Sequence, residues 1–495
     1  MSTRLARAST DPTTTAPSPT APSPATPAPD VPAPDTPAPP SGTPQARATL
    51  AVTSAATAVT LMTYTAPMIT LPDTAAALHT PLSAQAWLLN GTPLGLAAVL
   101  LVAGSLADDY GRRRIFLSGT VALGITTALS ALAGSTWLFT LARLAQGAAS
   151  AAILASSLGL LVHAFPAGAG RIRATGIWGA FVSGGIAAGP PVAGALTGAG
   201  PDGWRWAYAA LGAAALAVAA LAPRALTESR AARRGRPDLA GAATLGLALT
   251  ALVAALTLGR DGWLRAPVAA LLVAAAVLLA AFVAVEHRVR TPMLDLALLR
   301  RPLFLASTTG ALFTGFSVIG LFSYLPTLLQ HTLGLSVMGT AWLLVIWSGT
   351  SFVAALQARR LAGRVSARHQ LAVGFALHAV AAVTMLGAAS SGSWTRLLPG
   401  LLVSGAGSGL LNAALPLLSV ESVPAERAAM GSGANNTARY VGSAAGVALM
   451  IAVSTSTDDL AHGANLAMTV SACLAVLAGV TVLLLRDRNR SPRQA

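Results

Sequence analysis

The side chains that could carry out acid–base or metal chemistry are few in this 495-residue chain. No aspartate or glutamate lies in the middle of a long apolar run, and Asp73, Asp108, Glu286 and Glu421 are the carboxylates nearest to such runs. A membrane-embedded enzyme would need paired carboxylates, a histidine cluster or a nucleophile with its base. The sequence offers none of these arrangements. We therefore expect no enzyme, no catalytic residues, no cofactor and no metal site.

Among the ionisable residues inside apolar runs, His378 and Arg143 need an explanation. His378 can titrate, although a lone histidine in such a position is more often a packing residue with satisfied hydrogen bonds. Arg143 lies in the run Ala142-Arg143-Leu144-Ala145-Gln146-Gly147. A charge within a membrane helix normally faces the interior of the helix bundle and has a partner there, and snorkelling to the membrane surface is the alternative.

The composition indicates a protein whose solvent is lipid. Hydrophobic residues make up 54% of the chain, charged residues only 10%, and the mean hydropathy is +0.65. The net charge of +15 could suggest nucleic acid as a partner. However, the charges fall in short clusters between long apolar runs, so we expect a lipid bilayer and no nucleic acid.

The apolar runs have the length of membrane-spanning helices, about 20 residues each. Short alternating runs, which are typical of transmembrane barrels, do not occur. The sequence thus predicts an all-α integral membrane fold with fourteen spans. These are near 49–70, 86–106, 115–133, 137–162, 174–198, 206–222, 239–257, 266–285, 303–327, 337–358, 370–389, 396–420, 432–455 and 464–485.

The distribution of arginine supports this count. All 32 basic residues are arginine, and 26 of them fall in the two tails or in loops that follow even-numbered spans. Four fall in the opposite loops, and two, Arg143 and Arg439, lie within spans. By the positive-inside rule we expect a multi-pass protein of the plasma membrane with both termini in the cytoplasm.

Weak internal repetition predicts two similar halves. Leu-Ala and a terminal Arg recur at matching offsets after spans 2 and 10, and Gly185-x-x-x-Gly189 in span 5 resembles Gly442-x-x-x-Gly446 in span 13. Each pair is eight spans apart, which fits two six-span halves with two extra spans between them. The predicted regions are a disordered Pro/Ala/Thr-rich tail at 1–46, a first half at 47–223, a linker with two spans at 224–302, a second half at 303–486 and a tail at 487–495.

The loop between spans 2 and 3 carries a specific pattern of glycine, acidic and basic residues. The positions concerned are Gly104, Leu106, Asp108, Gly111, Arg112 and Arg113. This pattern resembles the cytoplasmic loop signature of the major facilitator superfamily. Gly104 and Gly111 are expected to permit a tight turn, and Asp108 to face a helix N-terminus or the arginine cluster.

Two further segments extend the resemblance. Arg143, Gln146 and Gly147 resemble the second signature of the superfamily. The run Gly184 to Gly194 in span 5 resembles its antiporter motif, with Ala193 in place of a usual glycine. The positions of interest there are Gly185, Gly189, Pro190 and Gly194. Close packing of helices is the alternative interpretation of this motif. The resemblance, from residue 48 to 486, is to the fourteen-span drug:proton antiporter branch.

This resemblance implies an exporter of drug-like or antibiotic molecules that exchanges them for protons. Members of the branch usually carry an aspartate in span 1, at the position of Thr63 here. Proton coupling needs a group whose pKa responds to access and to substrate, so the candidate proton sites become Asp73 and His378. Candidate residues for a largely apolar substrate cavity are Tyr64, Asn90, Trp178, Tyr324, Trp347 and Asn412.

Other functions remain open alternatives. A receptor is conceivable, but no signalling domain accompanies the spans. Among transporters, a facilitator or symporter of a metabolite is the second hypothesis. The expected partners are a small-molecule substrate, the proton gradient and the bilayer, and we expect a monomer.

Overall fold

The structure is a computed structural model that describes residues 43–80, 82–198, 200, 202–230, 238–259, 262–289, 292, 294, 296–361, 364–457 and 459–485. Regular structure in these residues is helical throughout. The first eight α helices are α1 (Pro44–Thr65), α2 (Pro67–Ala77), α3 (Leu82–Tyr110), α4 (Arg112–Ala131), α5 (Thr136–Ala164), α6 (Ala169–Thr197), α7 (Gly203–Ala225) and α8 (Leu239–Leu258). The remaining ones are α9 (Ala266–Arg288), α10 (Pro302–Phe313), α11 (Gly320–Leu333), α12 (Val337–Ala358), α13 (Ala367–Thr384), α14 (Leu397–Glu421), α15 (Ala428–Ser454) and α16 (Leu460–Leu484).

Helices occupy all of the predicted spans. Eleven helices in the described part of the chain are long and apolar enough to cross a membrane, and many large apolar side chains are exposed on their outer surfaces. The all-helical, multi-pass architecture is therefore confirmed. The finer count of fourteen spans and the division into halves stay predictions.

The first span differs from its prediction at both ends. The helix begins at Pro44, inside the segment expected to be a tail, because the Thr43 side chain accepts a hydrogen bond from the Ala46 amide (3.2 Å) and proline suits the first helical turn. The helix is then interrupted at Ala66, since Pro67 has no amide hydrogen to donate back to Thr63. One predicted span is thus two helices. The rest of the predicted tail lies outside the described residues.

The ninth span is also irregular. Between α10 and α11 the chain forms a π-helical segment, Thr314–Ile319, which the sequence pattern did not predict. Such segments widen one turn of a helix and often occur at functional sites. The eleventh span ends earlier than predicted, at Thr384 rather than 389, where Gly387 adopts a positive φ of 75°.

The repeated glycine pairs make equivalent contacts. A Cβ atom at Gly185 or Gly189 of α6 would collide with the backbone of α1, at 2.6 Å from the Ala58 carbonyl oxygen and 2.9 Å from that of Met62. Gly442 and Gly446 of α15 press in the same way on the backbone of α10 and the π-helical segment. In both cases an absent side chain lets two helices approach closely.

The pair α8 and α9 lies at the side of the bundle. The two helices pack against each other, and α8 also packs on α3 and α15. Helix α9 exposes Val273, Val277 and Leu279, which fits a lipid-facing position. The predicted linker with two extra spans is compatible with this placement.

Reporter fusions test the predicted topology. Fusions after Arg236 and Arg368 should report cytoplasm, and fusions after Gly200 and Arg396 should report the outside. The reason is that arginine-rich loops are retained on the cytoplasmic side. Inversion of any of the four would show that the count of fourteen spans is wrong.

Candidate functional site

Asp108 forms the centre of a contact that we call the latch, made by Asp108, Arg112 and the start of α15. Its carboxylate is fully buried at the end of α3. One oxygen accepts from the Arg112 Nε (2.8 Å), and the two oxygens accept from the backbone amides of Ala429 (3.2 Å) and Met430 (2.8 Å). These amides belong to the first turn of α15, where they have no partner within the helix. Asp108 therefore caps a helix more than 300 residues further along the chain, with favourable charge for the helix dipole.

Arg112 extends the latch to two more segments. Its Nη1 donates to the Gly159 carbonyl in α5 (3.2 Å), and its Nη2 donates to the carbonyls of Ala425 and Glu426 (2.8 and 3.0 Å). The guanidinium is almost completely buried. Beside it, Arg427 donates to Asp109 at 2.9 Å. The latch thus joins the helix ends that carry the arginine-rich loops, and we call this end of the molecule the Arg-rich end.

One of the two loop glycines has a different role from the one predicted. Gly111 makes the turn between α3 and α4 with a φ of 125°, as expected. Gly104 was expected in the turn and instead lies inside α3, where a Cβ would stand 2.5 Å from the Ala429 carbonyl oxygen. It permits close packing of α3 on α15 rather than chain reversal. The amide of Arg113 donates to Glu228 at 3.1 Å, and Leu106 is half-buried.

A cavity lies between the helices, on the side of the latch that faces away from the Arg-rich end. Its deeper part, the deep chamber, has a volume of about 100 Å³ and apolar walls from α1, α6, α12 and the π-helical segment. Aromatic side chains form two of its faces. Phe322 stacks on Trp347 with ring centroids 4.2 Å apart, and Tyr64 and Tyr440 are 5.9 Å apart.

A wider part, the mouth chamber, continues from it. The mouth chamber has a volume of about 480 Å³ and shares Tyr64, Pro190 and Tyr440 with the deep chamber. It extends to Pro72, Gln330 and other residues at helix ends opposite the Arg-rich end. The two volumes together suit a drug-sized ligand, for which pockets of ~300–1,000 Å³ are usual.

Four of the six predicted cavity residues line these chambers. Tyr64, Trp347 and Asn412 line the deep chamber, and Tyr324 lines the mouth chamber. The prediction for Trp178 is wrong, because its indole is packed in the hydrophobic core of the bundle with 1% exposure. The side chain of Asn90 lies outside the described residues.

Arg143 and Gln146 form a buried polar cluster. The Arg143 side chain has no exposed surface, so snorkelling is excluded. Its Nη1 donates to the Thr63 carbonyl (2.9 Å) and to Gln146 Oε1 (2.7 Å), and Gln146 Nε2 donates to the Ser130 hydroxyl (2.7 Å). The partners of Arg143 are thus backbone carbonyls and the Gln146 amide. Gly147 follows in the same helix and lets α5 press against α3.

The antiporter-like motif and the two candidate proton sites have different surroundings. Pro190 lines both chambers, and Gly194 faces Met338 of α12. Asp73 is exposed in the second half of α2. His378 is completely buried, and its two ring nitrogens bond to Ser404 and Ser471, each at 2.9 Å. His378 thus has the surroundings of a packing residue.

Arg439 lies at the cavity, although it was not among the predicted site residues. Arg439 lies in the middle of α15 and is the one charged side chain among the described residues that line either chamber. The available signal was an ionisable residue within a span, which by itself suggests a functional position.

Comparison with known proteins identifies the family to which this architecture belongs. The profile described as Major Facilitator Superfamily matches residues 53–447. The chain belongs to the major facilitator superfamily. It is therefore a multi-pass membrane transporter rather than an enzyme.

Named relatives of this major facilitator are drug and antibiotic resistance proteins. It is 32% identical to "Puromycin resistance protein pur8" of Streptomyces alboniger over 88% of this chain and 89% of that one. It is 30% identical to "Methylenomycin A resistance protein" of Streptomyces coelicolor over 84% and 87%. Among solved structures, the human organic anion transporter MFSD10 (TETRAN) superposes with a TM-score of 0.65 at 18% identity, covering 89% of this chain and all of that one. At this identity the likeness concerns the fold alone.

Proposed function

We propose that this major facilitator exports drug-like or antibiotic small molecules across the plasma membrane, as a monomer with its Arg-rich end in the cytoplasm. The observation that carries the proposal is the cavity, which is drug-sized and walled by apolar and aromatic side chains. The resistance proteins named above support it, since they align along most of this chain.

The conformation fits one state of an export cycle. The latch closes the Arg-rich end, whereas the mouth chamber reaches the opposite end. With the Arg-rich end in the cytoplasm, this is the state that releases substrate to the outside. Opening of the latch would then expose the deep chamber to the cytoplasm for loading, as expected for alternating access.

We propose proton antiport as the driving exchange. The antiporter-like motif supports this, since Gly185 and Gly189 bring α6 against α1 and Pro190 lies at the cavity wall. Asp73 and His378 remain the candidate proton sites. Of the two, Asp73 is accessible to water, whereas His378 would first have to break its bonds to two serines.

A transport assay tests both export and coupling. A transporter-deficient host that expresses the protein should resist one or more antibiotics of a panel, and that compound should enter inverted vesicles. An uncoupler should reduce this uptake severalfold, and Asp73→Asn should reduce the response to the uncoupler more than His378→Gln does. Absence of both resistance and uptake would contradict export.

The coupling results separate the remaining hypotheses. If the uncoupler leaves wild-type uptake unchanged, the second hypothesis, a facilitator, replaces antiport. If the uncoupler acts and both variants behave like the wild type, the proton site lies elsewhere, and Glu286 and Glu421 are the next carboxylates to replace.

A further inference from the structure

Arg439 has fewer partners than a buried arginine needs. Its side chain is 7% exposed, yet its hydrogen-bond partners in the described residues are the Asn436 Oδ1, at 2.7 Å, and the Tyr440 hydroxyl. The guanidinium carbon lies 5.4 Å from the ring centroid of Tyr440. The buried Nε atom has no hydrogen-bond partner. A guanidinium carries five N–H donors and stays charged in proteins, so Arg439 lines the deep chamber with fewer hydrogen-bond partners than it has donors.

The cavity offers no negative charge of its own. None of the described residues lining either chamber is an aspartate or glutamate. Arg143, the other arginine within a span, bonds to backbone carbonyls and Gln146 rather than to a carboxylate. An uncompensated charge in a low-dielectric interior is unfavourable, so an anion entering the deep chamber gains a favourable partner there.

The position of Arg439 is fixed by its surroundings. Helix α15 presses so closely on the π-helical segment that a Cβ at Gly315 would collide with the Arg439 carbonyl. Asn436, which accepts from the guanidinium, donates in turn to the Ser432 carbonyl at 3.0 Å. A preorganised arginine of this kind binds planar anions with little loss of entropy.

Other groups in the deep chamber complete a site. The Ser408 hydroxyl is buried in its wall without a hydrogen-bond partner. The two aromatic pairs, Phe322 with Trp347 and Tyr64 with Tyr440, offer flat apolar surfaces. Aromatic faces of this kind suit a planar ring system.

We propose that the deep and mouth chambers together bind planar aromatic molecules that carry one or more anionic oxygen groups, such as a carboxylate or phenolate, and that Arg439 binds the anion in the deep chamber. This proposal rests on the proposed export function and defines its substrate class. Cationic compounds of the same shape should bind weakly, because Arg439 repels them in an interior of low dielectric.

Two dyes with the same xanthene scaffold test the proposal. Fluorescein is anionic, and rhodamine 6G is cationic. Binding of each to the purified full-length protein in lipid nanodiscs is measured by fluorescence polarisation. We expect the wild type to bind fluorescein more tightly, and Arg439→Gln to weaken fluorescein about 10- to 100-fold while leaving rhodamine 6G unchanged or tighter. Arg439→Lys should recover part of the affinity. Arg396→Gln, which removes an exposed charge, is the matched control and should bind like the wild type.

Each outcome decides the proposal. It is overturned if the wild type fails to bind fluorescein, if it prefers rhodamine 6G, or if Arg439→Gln weakens both dyes equally. The proposed function is tested separately. Export of rhodamine 6G from cells, without fluorescein binding, would support the proposed export function and contradict the anion site. Fluorescein binding that depends on Arg439, without export of any compound, would support the anion site and contradict the export function.

Discussion

Asp108→Asn should reduce transport at least about tenfold while the protein still inserts into the membrane. The carboxylate holds Arg112 and the first turn of α15 at once, and an asparagine cannot accept from all of these donors. Removing one partner of a buried ion pair typically costs about 3–5 kcal/mol, because the other charge stays buried. A loss of this size in one conformation would shift the equilibrium between the two conformations of the cycle by about two to four orders of magnitude.

The test measures both transport and the accessibility of the mouth chamber to a thiol reagent. Cys473→Ser removes the protein's single cysteine, and Ser443→Cys then places a thiol in the mouth chamber. An impermeant maleimide should label this thiol in the wild-type background and label it more slowly with Asp108→Asn, since the latched state is less populated. Membrane yield is measured in parallel to exclude misfolding.

Asp109→Asn is the matched control. Asp109 is the next residue in the chain and also pairs with an arginine, but its partner Arg427 is 29% exposed. Pairs in contact with water contribute only about 0–1 kcal/mol, so this variant should retain most of its transport. Equal losses of transport in the two variants would show that the latch is not required for transport. Near-normal transport by well-expressed Asp108→Asn protein would show the same.

The latch illustrates which parts of a site a sequence can predict. The signature spacing indicated that Asp108 would meet a helix N-terminus or arginines, and the structure shows both contacts. The partners Ala429 and Met430 could not be predicted, since their contribution is a backbone amide that any residue supplies. Gly104 was misplaced for a related reason. A glycine that allows a turn and one that allows close helix packing look alike in sequence.

The cavity shows the same limit. Hydropathy located its helices, and the polar or aromatic residues within spans included four that line it. Trp178 was misassigned because an almost uniformly apolar helix gives little indication of which face points inward. The π-helical segment depends on how α10 and α11 pack against α15, which no local pattern encodes.

The contact between Arg143 and Thr63 compensates for the interruption of the first span. Pro67 has no N–H, so the Thr63 carbonyl, which would accept from residue 67 in a continuous helix, loses its helical partner. Arg143 replaces that partner from α5 at 2.9 Å. An unsatisfied buried carbonyl costs about 1–3 kcal/mol. The buried arginine therefore satisfies a backbone group at the very position where related antiporters place an aspartate.

Arg143→Met should consequently abolish most transport and lower thermal stability. Methionine fills a similar volume but leaves both the Thr63 carbonyl and Gln146 Oε1 without their donor. Arg143→Lys should recover only part of the function, because one ammonium group cannot reproduce the guanidinium fork. Transport of the substrate found in the antibiotic panel and the unfolding temperature in detergent are the two readouts.

Pro67→Ala provides the decisive comparison. Alanine returns an N–H to position 67, so the Thr63 carbonyl can regain a helical hydrogen bond even when Arg143 is absent. In this background Arg143→Met should destabilise the protein less than it does in the wild type, by about 1–2 kcal/mol of coupling. If the two substitutions are instead additive in stability, Arg143 does not serve the carbonyl released by Pro67, and its buried charge must act through Gln146 or through the transported molecule.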